Sequence, residues 1–222
     1  MNIDGYQVLV FLHILAFGYW LGADLGVYFC DSQMTRADLD IEERLRVRRI
    51  RYKVDMAPRT CFVLILALGF TLAQRYGSPV TGAWLGLLWA ALLAWLALIW
   101  SVRIHGGTPR GAWLGRLDRT VWFGAGLAMM TLGGAGIAGQ VGLPQWLAAK
   151  MFVYGLICWN GLWIMGSADH WYPLIEALRR GDGDRDEIER RMKQTRFWCG
   201  TSAFVLWFLV LVVAFLGTVK PI

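Results

Sequence analysis

Charged side chains are scarce in this sequence. Asp, Glu, Lys and Arg make up 17% of its 222 residues, whereas 57% of the residues are hydrophobic. Apolar runs of about 20 residues recur along nearly the whole chain, and this is the length that an α-helix needs to cross a bilayer. The alternating pattern of a membrane β-barrel is missing. We therefore predict an all-α, polytopic transmembrane bundle that forms a single domain over residues 1–222.

Cysteine is also rare, and its four copies are scattered. No Cys-x-x-Cys pair and no zinc-type spacing is present, so we interpret the cysteines as small apolar residues of the helix packing. The net charge of +6 does not indicate nucleic-acid binding, because the basic residues flank the apolar runs. No basic segment precedes the first apolar run and no cleavage site follows it, so we expect a helix of the mature protein there.

Six apolar segments are long enough to span a membrane. We predict helices at about 6–29, 58–77, 80–103, 121–142, 146–167 and 197–217. The second of these ends at a Tyr-Gly-Ser-Pro turn and the fourth at Val-Gly-Leu-Pro-Gln, while charged residues bound the others.

Nearly all of the 22 Lys and Arg residues fall on one side of this arrangement, mostly in segments 30–57, 103–120 and 168–196. The positive-inside rule places these segments in the cytoplasm and both termini on the extracytoplasmic side of a bacterial inner membrane. We expect 30–57 and 168–196 to form amphipathic surface helices. Charges in such helices usually face solvent or lipid headgroups rather than a specific partner.

Three ionisable residues, His13, Asp24 and Lys150, interrupt the apolar segments. Each is costly at depth, on the order of 2.5–3.5 kcal/mol by insertion scales, and is a functional hypothesis by default. His13 and Lys150 lie at similar depth in the outer half of the bilayer, although Lys150 can also extend to the interface. Asp24 lies near the cytoplasmic end, where an ion pair with Arg59 would fix helix packing or take part in a proton relay.

The first helix has two distinct faces. At about 100° per residue, one face carries His13, Phe17, Trp20 and Asp24. The opposite face carries Gly18, Gly22 and Gly26. Small residues at this spacing allow a second helix to approach closely. We therefore expect the glycine face to pack against a neighbouring helix and the other face to line an interior space.

A lone histidine inside a helical bundle is commonly a hydrogen-bonding residue between helices. The alternative is an axial ligand to haem iron, which neutral imidazole binds well. The candidates for the aromatic walls of a haem slot are Phe17, Trp20, Phe152 and Tyr154. His105 and His170 lie at the cytoplasmic margin, so a haem on His13 would need a non-histidine partner or an open position.

Four segments carry a further ordered pattern. A Leu-His pair precedes aromatic and small residues, Met-x-Pro precedes a distal Gly, Trp precedes Ala-Lys, and the last helix runs from Arg-Phe to Lys-Pro and an apolar residue. The positions are Leu12, His13, Met56, Pro58, Gly69, Trp146, Ala149, Lys150, Arg196, Phe197, Lys220, Pro221 and Ile222. Together these segments, roughly half of the chain, resemble the HemJ-type protoporphyrinogen IX oxidases, a family of haem-b-associated membrane proteins.

The resemblance implies haem b as the cofactor and His13 and Lys150 as the residues tied to haem binding and activity. Lys150 would lie near the haem propionates, or act as a second ligand or a proton carrier. The chain departs from the family by an additional helical pair, by Trp159-Asn160 where the family has Tyr-His, and by Cys-Gly-Thr-Ser-Ala in the last helix, where the family has an Asn-Glu motif and then Pro. Haem binding is therefore better supported than protoporphyrinogen oxidation.

Other functions remain open from the sequence. A general membrane haem protein that passes electrons to an acceptor fits almost as well. An alternative from another class is a non-catalytic subunit of a larger membrane complex, or a small transporter. The 13 Trp residues and the glycine-rich segment 132–142 suit packing against other helices. The expected partners are the lipid bilayer and either a second copy of the chain or another membrane protein.

Overall fold

The computed structural model describes residues 4–221, which contain no strand and are 85% helical. The helices are α1 (Gly5–Met34), α2 (Ile41–Val54), α3 (Met56–Ala73), α4 (Gly82–Ile104), α5 (Pro109–Ile137), α6 (Gln145–Ala168), α7 (Trp171–Arg180) and α8 (Arg185–Val219), with a short 3₁₀ turn at Gln74–Tyr76. Six stretches of the described chain are long and apolar enough to cross a membrane. This confirms the predicted six-helix bundle, and the protein is a multi-pass membrane protein.

Two helices begin earlier than the sequence analysis predicts. The fourth spanning helix, α5, starts at Pro109 rather than near 121, because the Thr108 hydroxyl accepts a hydrogen bond from the Gly111 amide and Pro109 suits a first helical turn. The last, α8, starts at Arg185 because Asp184 caps it. The charged segments before these spans therefore continue the membrane helices rather than forming loops.

The six spanning helices form a closed ring. Each packs against two others in the order α1, α3, α4, α5, α6 and α8, and α8 contacts α1 again. The centre is filled by Phe62 of α3, which stacks on Trp122 of α5 at a centroid distance of 4.3 Å and on Tyr154 of α6 at 5.1 Å. The edges of Trp20 and Trp95 complete this aromatic core at 5.5 and 5.6 Å.

The closest helix pair is α5–α6, and glycine makes it possible. A Cβ added to Gly155 would lie 2.7 Å from the Gly126 carbonyl oxygen, and one on Gly136 would lie 2.6 Å from the Ala148 Cβ. The glycine-rich segment predicted to pack against other helices thus packs against α6. In the membrane, such small residues replace a hydrophobic driving force with close van der Waals contact.

The expected glycine contact on α1 is wrong. Nothing lies within 4 Å of a Cβ placed on Gly18 or Gly22, and only Gly26 meets a neighbour, the Val54 side chain at 3.3 Å. The period of the helix identifies which residues share a face, but not which face meets another helix. Here the face that carries His13 and Trp20 turns inward, and the face that carries Gly18 and Gly22 meets no neighbouring helix.

The two ends of the ring differ. We call the end that holds α2, α7 and loop 105–108 the basic end, and the end that holds loops 77–81 and 138–144 the terminal end. Both ends of the described chain lie at the terminal end, where Tyr6 and Lys220 each hydrogen-bond to Tyr76. The extracytoplasmic location of this end stays a prediction.

The basic end contains buried ion pairs that the sequence analysis did not anticipate. The Arg44 guanidinium donates two hydrogen bonds of 2.7 Å to Glu189, although the Arg44 side chain is only 2% exposed. Arg51 pairs with Asp31, and both are buried. Segments 30–57 and 168–196 are therefore not simply solvated surface helices. Part of their charge holds α2 against α1 and the start of α8.

Candidate functional site

A cavity of about 390 Å³ opens inside the ring at the terminal end. Its walls come from α1, α3, α5, α6 and α8, and loop residues 78–80, 141 and 143 contribute at its outer edge. The volume lies within the range of roughly 300–1,000 Å³ that is typical of small-molecule and cofactor sites. The wall is overwhelmingly apolar, so a ligand that fills it must be largely apolar as well.

Five of the six residues predicted to form a site line this one cavity: His13, Phe17, Trp20, Lys150 and Tyr154. They come from two helices, α1 and α6, that are far apart in the chain. The equal depth inferred for His13 and Lys150 therefore corresponds to a shared space in the structure. The structure gives their positions, whereas their roles in binding or catalysis stay predictions.

His13 lies against α3. A Cβ on Gly69 would stand 3.3 Å from the His13 Cε1 atom, so the absent side chain at Gly69 makes room for the imidazole ring. The Nδ1 atom of His13 is buried and has no hydrogen-bond partner. A buried ring nitrogen without a hydrogen-bond partner is costly unless a ligand binds to it. Among the described residues that line the cavity, the Nδ1 atom of His13 is thus the buried polar side-chain atom without a protein partner.

Lys150 lies against the end of α8. A Cβ on Gly217 would stand 2.5 Å from the Lys150 Nζ atom, so the ammonium occupies the space of a missing side chain. Within residues 4–221 this ammonium makes no hydrogen bond and no ion pair. The cavity wall contains no Asp or Glu, and Lys150 and His13 are its ionisable side chains besides Tyr154. A ligand with an acidic group would therefore complement the cavity.

Further positive charge lies near the mouth of the cavity. The Lys220 ammonium donates a 2.6 Å hydrogen bond to the Tyr76 hydroxyl and lies 5.2 Å from the centre of the Trp146 ring. Arg75 lies over the Tyr6 ring at 4.3 Å. These contacts tie the ends of α1, α3, α6 and α8 together at the terminal end. They also place two cations at this end of the ring, which favours an anionic ligand over a cationic one.

The aromatic floor of the cavity is part of the aromatic core. The Tyr154 hydroxyl donates a 2.6 Å hydrogen bond to the Phe62 carbonyl oxygen, which fixes the orientation of the Tyr154 ring. Trp20 packs edge-on against Tyr154 at 6.4 Å. Phe152, predicted as a further wall residue, does not line the cavity. It lies in the α5–α6 contact, where its backbone meets Gly133 and its ring approaches Gly134.

A second cavity of about 60 Å³ lies on the other side of Trp20, which lines both cavities. Asp24 and Arg59 both border this second cavity, but they do not form the predicted ion pair. The Asp24 carboxylate instead accepts a 2.7 Å hydrogen bond from Trp207 Nε1 of α8. Arg59 pairs with Asp55 at 2.8 Å, one helical turn away, because residues four apart in a helix are neighbours.

The remaining histidines do not reach the cavity. His105 follows α4 and His170 precedes α7, both at the basic end, and their rings contact the carbonyl oxygens of Ser101 and Ser167. In the part of the chain that the structure describes, no three His, Cys, Asp or Glu side chains form a cluster able to hold a bare metal ion. Iron in haem does not require such a cluster, because the porphyrin supplies the equatorial ligands.

Comparison with protein-family models, with curated proteins and with solved structures finds no match for this chain. The resemblance of four segments to the HemJ-type oxidases therefore stays a prediction from the sequence.

Proposed function

We propose that this membrane protein binds haem b in the cavity between α1 and α6, and that it is an oxidoreductase related in activity to the protoporphyrinogen IX oxidases. One observation carries the proposal: His13 and Lys150 meet in a single, largely apolar cavity, where the Nδ1 atom of His13 and the Lys150 ammonium have no hydrogen-bond partner within residues 4–221. A purely structural histidine and lysine would be expected to hydrogen-bond to neighbouring helices. Unpartnered ionisable groups in a membrane protein are instead typical of functional sites.

The residues present fit haem b. The imidazole of His13 is a suitable iron ligand, and one of its ring nitrogens has no partner. The walls provide aromatic surface from Phe17, Trp20 and Tyr154 for a flat macrocycle. The ammonium of Lys150 provides a counter-charge for carboxylates such as the propionates, which would otherwise be unpaired in a low-dielectric site.

The positions at which the chain departs from the family pattern leave the proposed haem site intact, but they weaken the case for the family's own reaction. Trp159, Asn160 and segment 199–203 replace polar motifs of the family, and none of them lines the cavity. The space around His13 therefore does not depend on the residues that differ. The polar groups that the family has at those positions are nevertheless missing, which favours haem binding over the family's own reaction.

Each chain residue has a distinct part in the proposed site. When bound, haem supplies one-electron redox chemistry. His13 would hold the iron, and Lys150 would anchor the acidic edge of the ligand near the terminal end. Phe17, Trp20 and Tyr154 exclude water from the interior side and keep the ligand orientation fixed, since Tyr154 is itself held by the Phe62 carbonyl.

The deciding experiment is an absorbance spectrum and an iron determination on protein purified from haem-sufficient cells. We expect a Soret band in the wild type and in His170→Ala, an exposed histidine at the opposite end, and its loss in His13→Ala. Colourless, iron-free wild-type protein with an intact helical circular dichroism spectrum would refute haem binding. If haem is present but anaerobically prepared protoporphyrinogen IX is not oxidised, haem binding stands and the assigned reaction is wrong.

A further inference from the structure

A row of alternating tyrosine and arginine side chains lies at the basic end, outside the proposed haem site. The Arg48 guanidinium carbon of α2 is 4.8 Å from the ring centre of Tyr172 of α7 and 5.2 Å from that of Tyr52. The Arg103 guanidinium carbon of α4 is 4.6 Å from the ring centre of the same Tyr52. We call Tyr172, Arg48, Tyr52 and Arg103 the arginine–tyrosine row.

The two guanidinium groups of the row lack acidic partners. Many other arginines at this end are paired, such as Arg46 with Glu43 at 2.7 Å and Arg119 with Asp169 at 2.7 Å. Within residues 4–221, by contrast, neither Arg48 nor Arg103 forms an ion pair.

The donors of Arg48 are also incompletely used. Its Nε atom is buried and has no hydrogen-bond partner, and the one side-chain contact of its Nη2 atom is a long one, 3.4 Å to the Tyr52 hydroxyl. Asp55, whose carboxylate feels the charge of Arg103, is already paired with Arg59. Two cations that contact one tyrosine ring, with donors that no carboxylate uses, favour an anionic ligand.

The row lies at the ends of spanning helices, where lipid headgroups are expected. Arg103 is the penultimate residue of α4, and Tyr172 comes four residues after the end of α6. Tyr52 precedes the first residue of α3 by four positions, or about 6 Å along a helix. Tyrosine is enriched at this interface because its ring is apolar and its hydroxyl polar. Next to Arg103, Trp100 and Ile104 of α4 are 44% and 73% exposed, which provides apolar surface for an acyl chain.

We propose that the arginine–tyrosine row binds the phosphate of an anionic phospholipid. The guanidinium forks of Arg48 and Arg103 match the oxygens of a phosphate, and the tyrosine rings hold both forks in place by cation–π contact. The adjacent exposed α4 surface selects a lipid over a soluble phosphate. This site is independent of haem binding, since it lies at the opposite end of the bundle from His13.

The test is lipid binding to the full-length protein in non-ionic detergent, followed by native mass spectrometry. We titrate phosphatidylglycerol against phosphatidylcholine with matched acyl chains. Removing one charge-assisted contact should weaken phosphatidylglycerol binding about tenfold. We therefore expect Arg103→Gln to bind phosphatidylglycerol about tenfold more weakly than the wild type. Arg103 is exposed, so its replacement should not impair folding. The double variant Arg48→Gln/Arg103→Gln should show no preference for phosphatidylglycerol over phosphatidylcholine.

The matched control is Arg46→Gln/Arg190→Gln, which removes two exposed arginines from the same end of the protein. It should retain the preference of the wild type. Equal loss in both double variants, or no loss in Arg103→Gln, overturns the proposal because general charge would then explain the binding. Displacement of phosphatidylglycerol by inorganic phosphate at equal concentration also overturns it, since the site would then take soluble anions.

Discussion

Gly217 offers a direct test of the position of Lys150, because a single methyl group there should move the ammonium. In Gly217→Ala the new Cβ would stand 2.5 Å from Lys150 Nζ, 3.5 Å from its Cε and 3.7 Å from its Cδ. These atoms are the far end of a flexible side chain, so the lysine can rotate away while α6 and α8 keep their places. We expect the protein to remain folded and the acidic edge of a bound haem to lose its partner.

The expected size follows from the lost contact. A hydrogen bond to a charged group contributes about 1.5–3 kcal/mol, and 1.4 kcal/mol corresponds to about tenfold in affinity. Haem affinity should therefore fall about 10- to 100-fold in Gly217→Ala, with Lys150→Gln as the upper bound. The stability of the helix itself should stay the same or rise by about 0.5–1 kcal/mol, because alanine replaces glycine in a helix interior.

The assay is an absorbance titration of haem-free protein with haem, and the control is Gly200→Ala in the same helix. There the added Cβ meets Tyr28 Cε2 at 3.5 Å, which is ordinary van der Waals contact, so haem affinity should match the wild type. If Lys150→Gln binds weakly but Gly217→Ala binds like the wild type, the predicted displacement is wrong. If both bind like the wild type, Lys150 does not contact the ligand.

Two further predictions concern the fold. Glu189→Ala leaves the Arg44 charge buried and unpaired, so we expect a loss of about 3–5 kcal/mol in the free energy of unfolding in mixed micelles, whereas Glu43→Ala, on the surface, should leave it unchanged. Gly155→Ala places a Cβ 2.7 Å from the Gly126 carbonyl oxygen and should cost about 1–3 kcal/mol. Gly124→Ala on α5, where nothing lies within 4 Å, is its control, and equal effects in the two variants would contradict close α5–α6 packing.

The residues around the cavity could be found from the sequence because the helical period is strict. His13, Phe17 and Trp20 recur at four and three positions, and Lys150 and Tyr154 recur at four, so each set must share a face. Counting residues from the helix ends then placed His13 and Lys150 at one depth. The sequence does not reveal the two glycines that make room for these side chains, Gly69 beside His13 and Gly217 beside Lys150. Only the family resemblance singles out Gly69, and no pattern in the sequence singles out Gly217.

The errors have a common physical origin. A face of small residues predicts close packing only if another helix is available beside it, and at Gly18 and Gly22 none is. Similarly, Asp24 and Arg59 lie at the same depth, yet each finds a partner elsewhere, Trp207 on α8 and Asp55 within the same chain segment. Depth and period follow from one helix, whereas partner choice depends on how all six helices are arranged around the ring.

The aromatic core bears on whether a molecule could pass through the ring from one end to the other. Phe62, with its stacked neighbours Trp122 and Tyr154, closes the middle of the ring, so the cavity is a dead end that reaches inward from the terminal end. Passage to the basic end would require this stack to come apart, together with the hydrogen bond that locks Tyr154 to α3. The ring therefore encloses a pocket rather than a continuous channel.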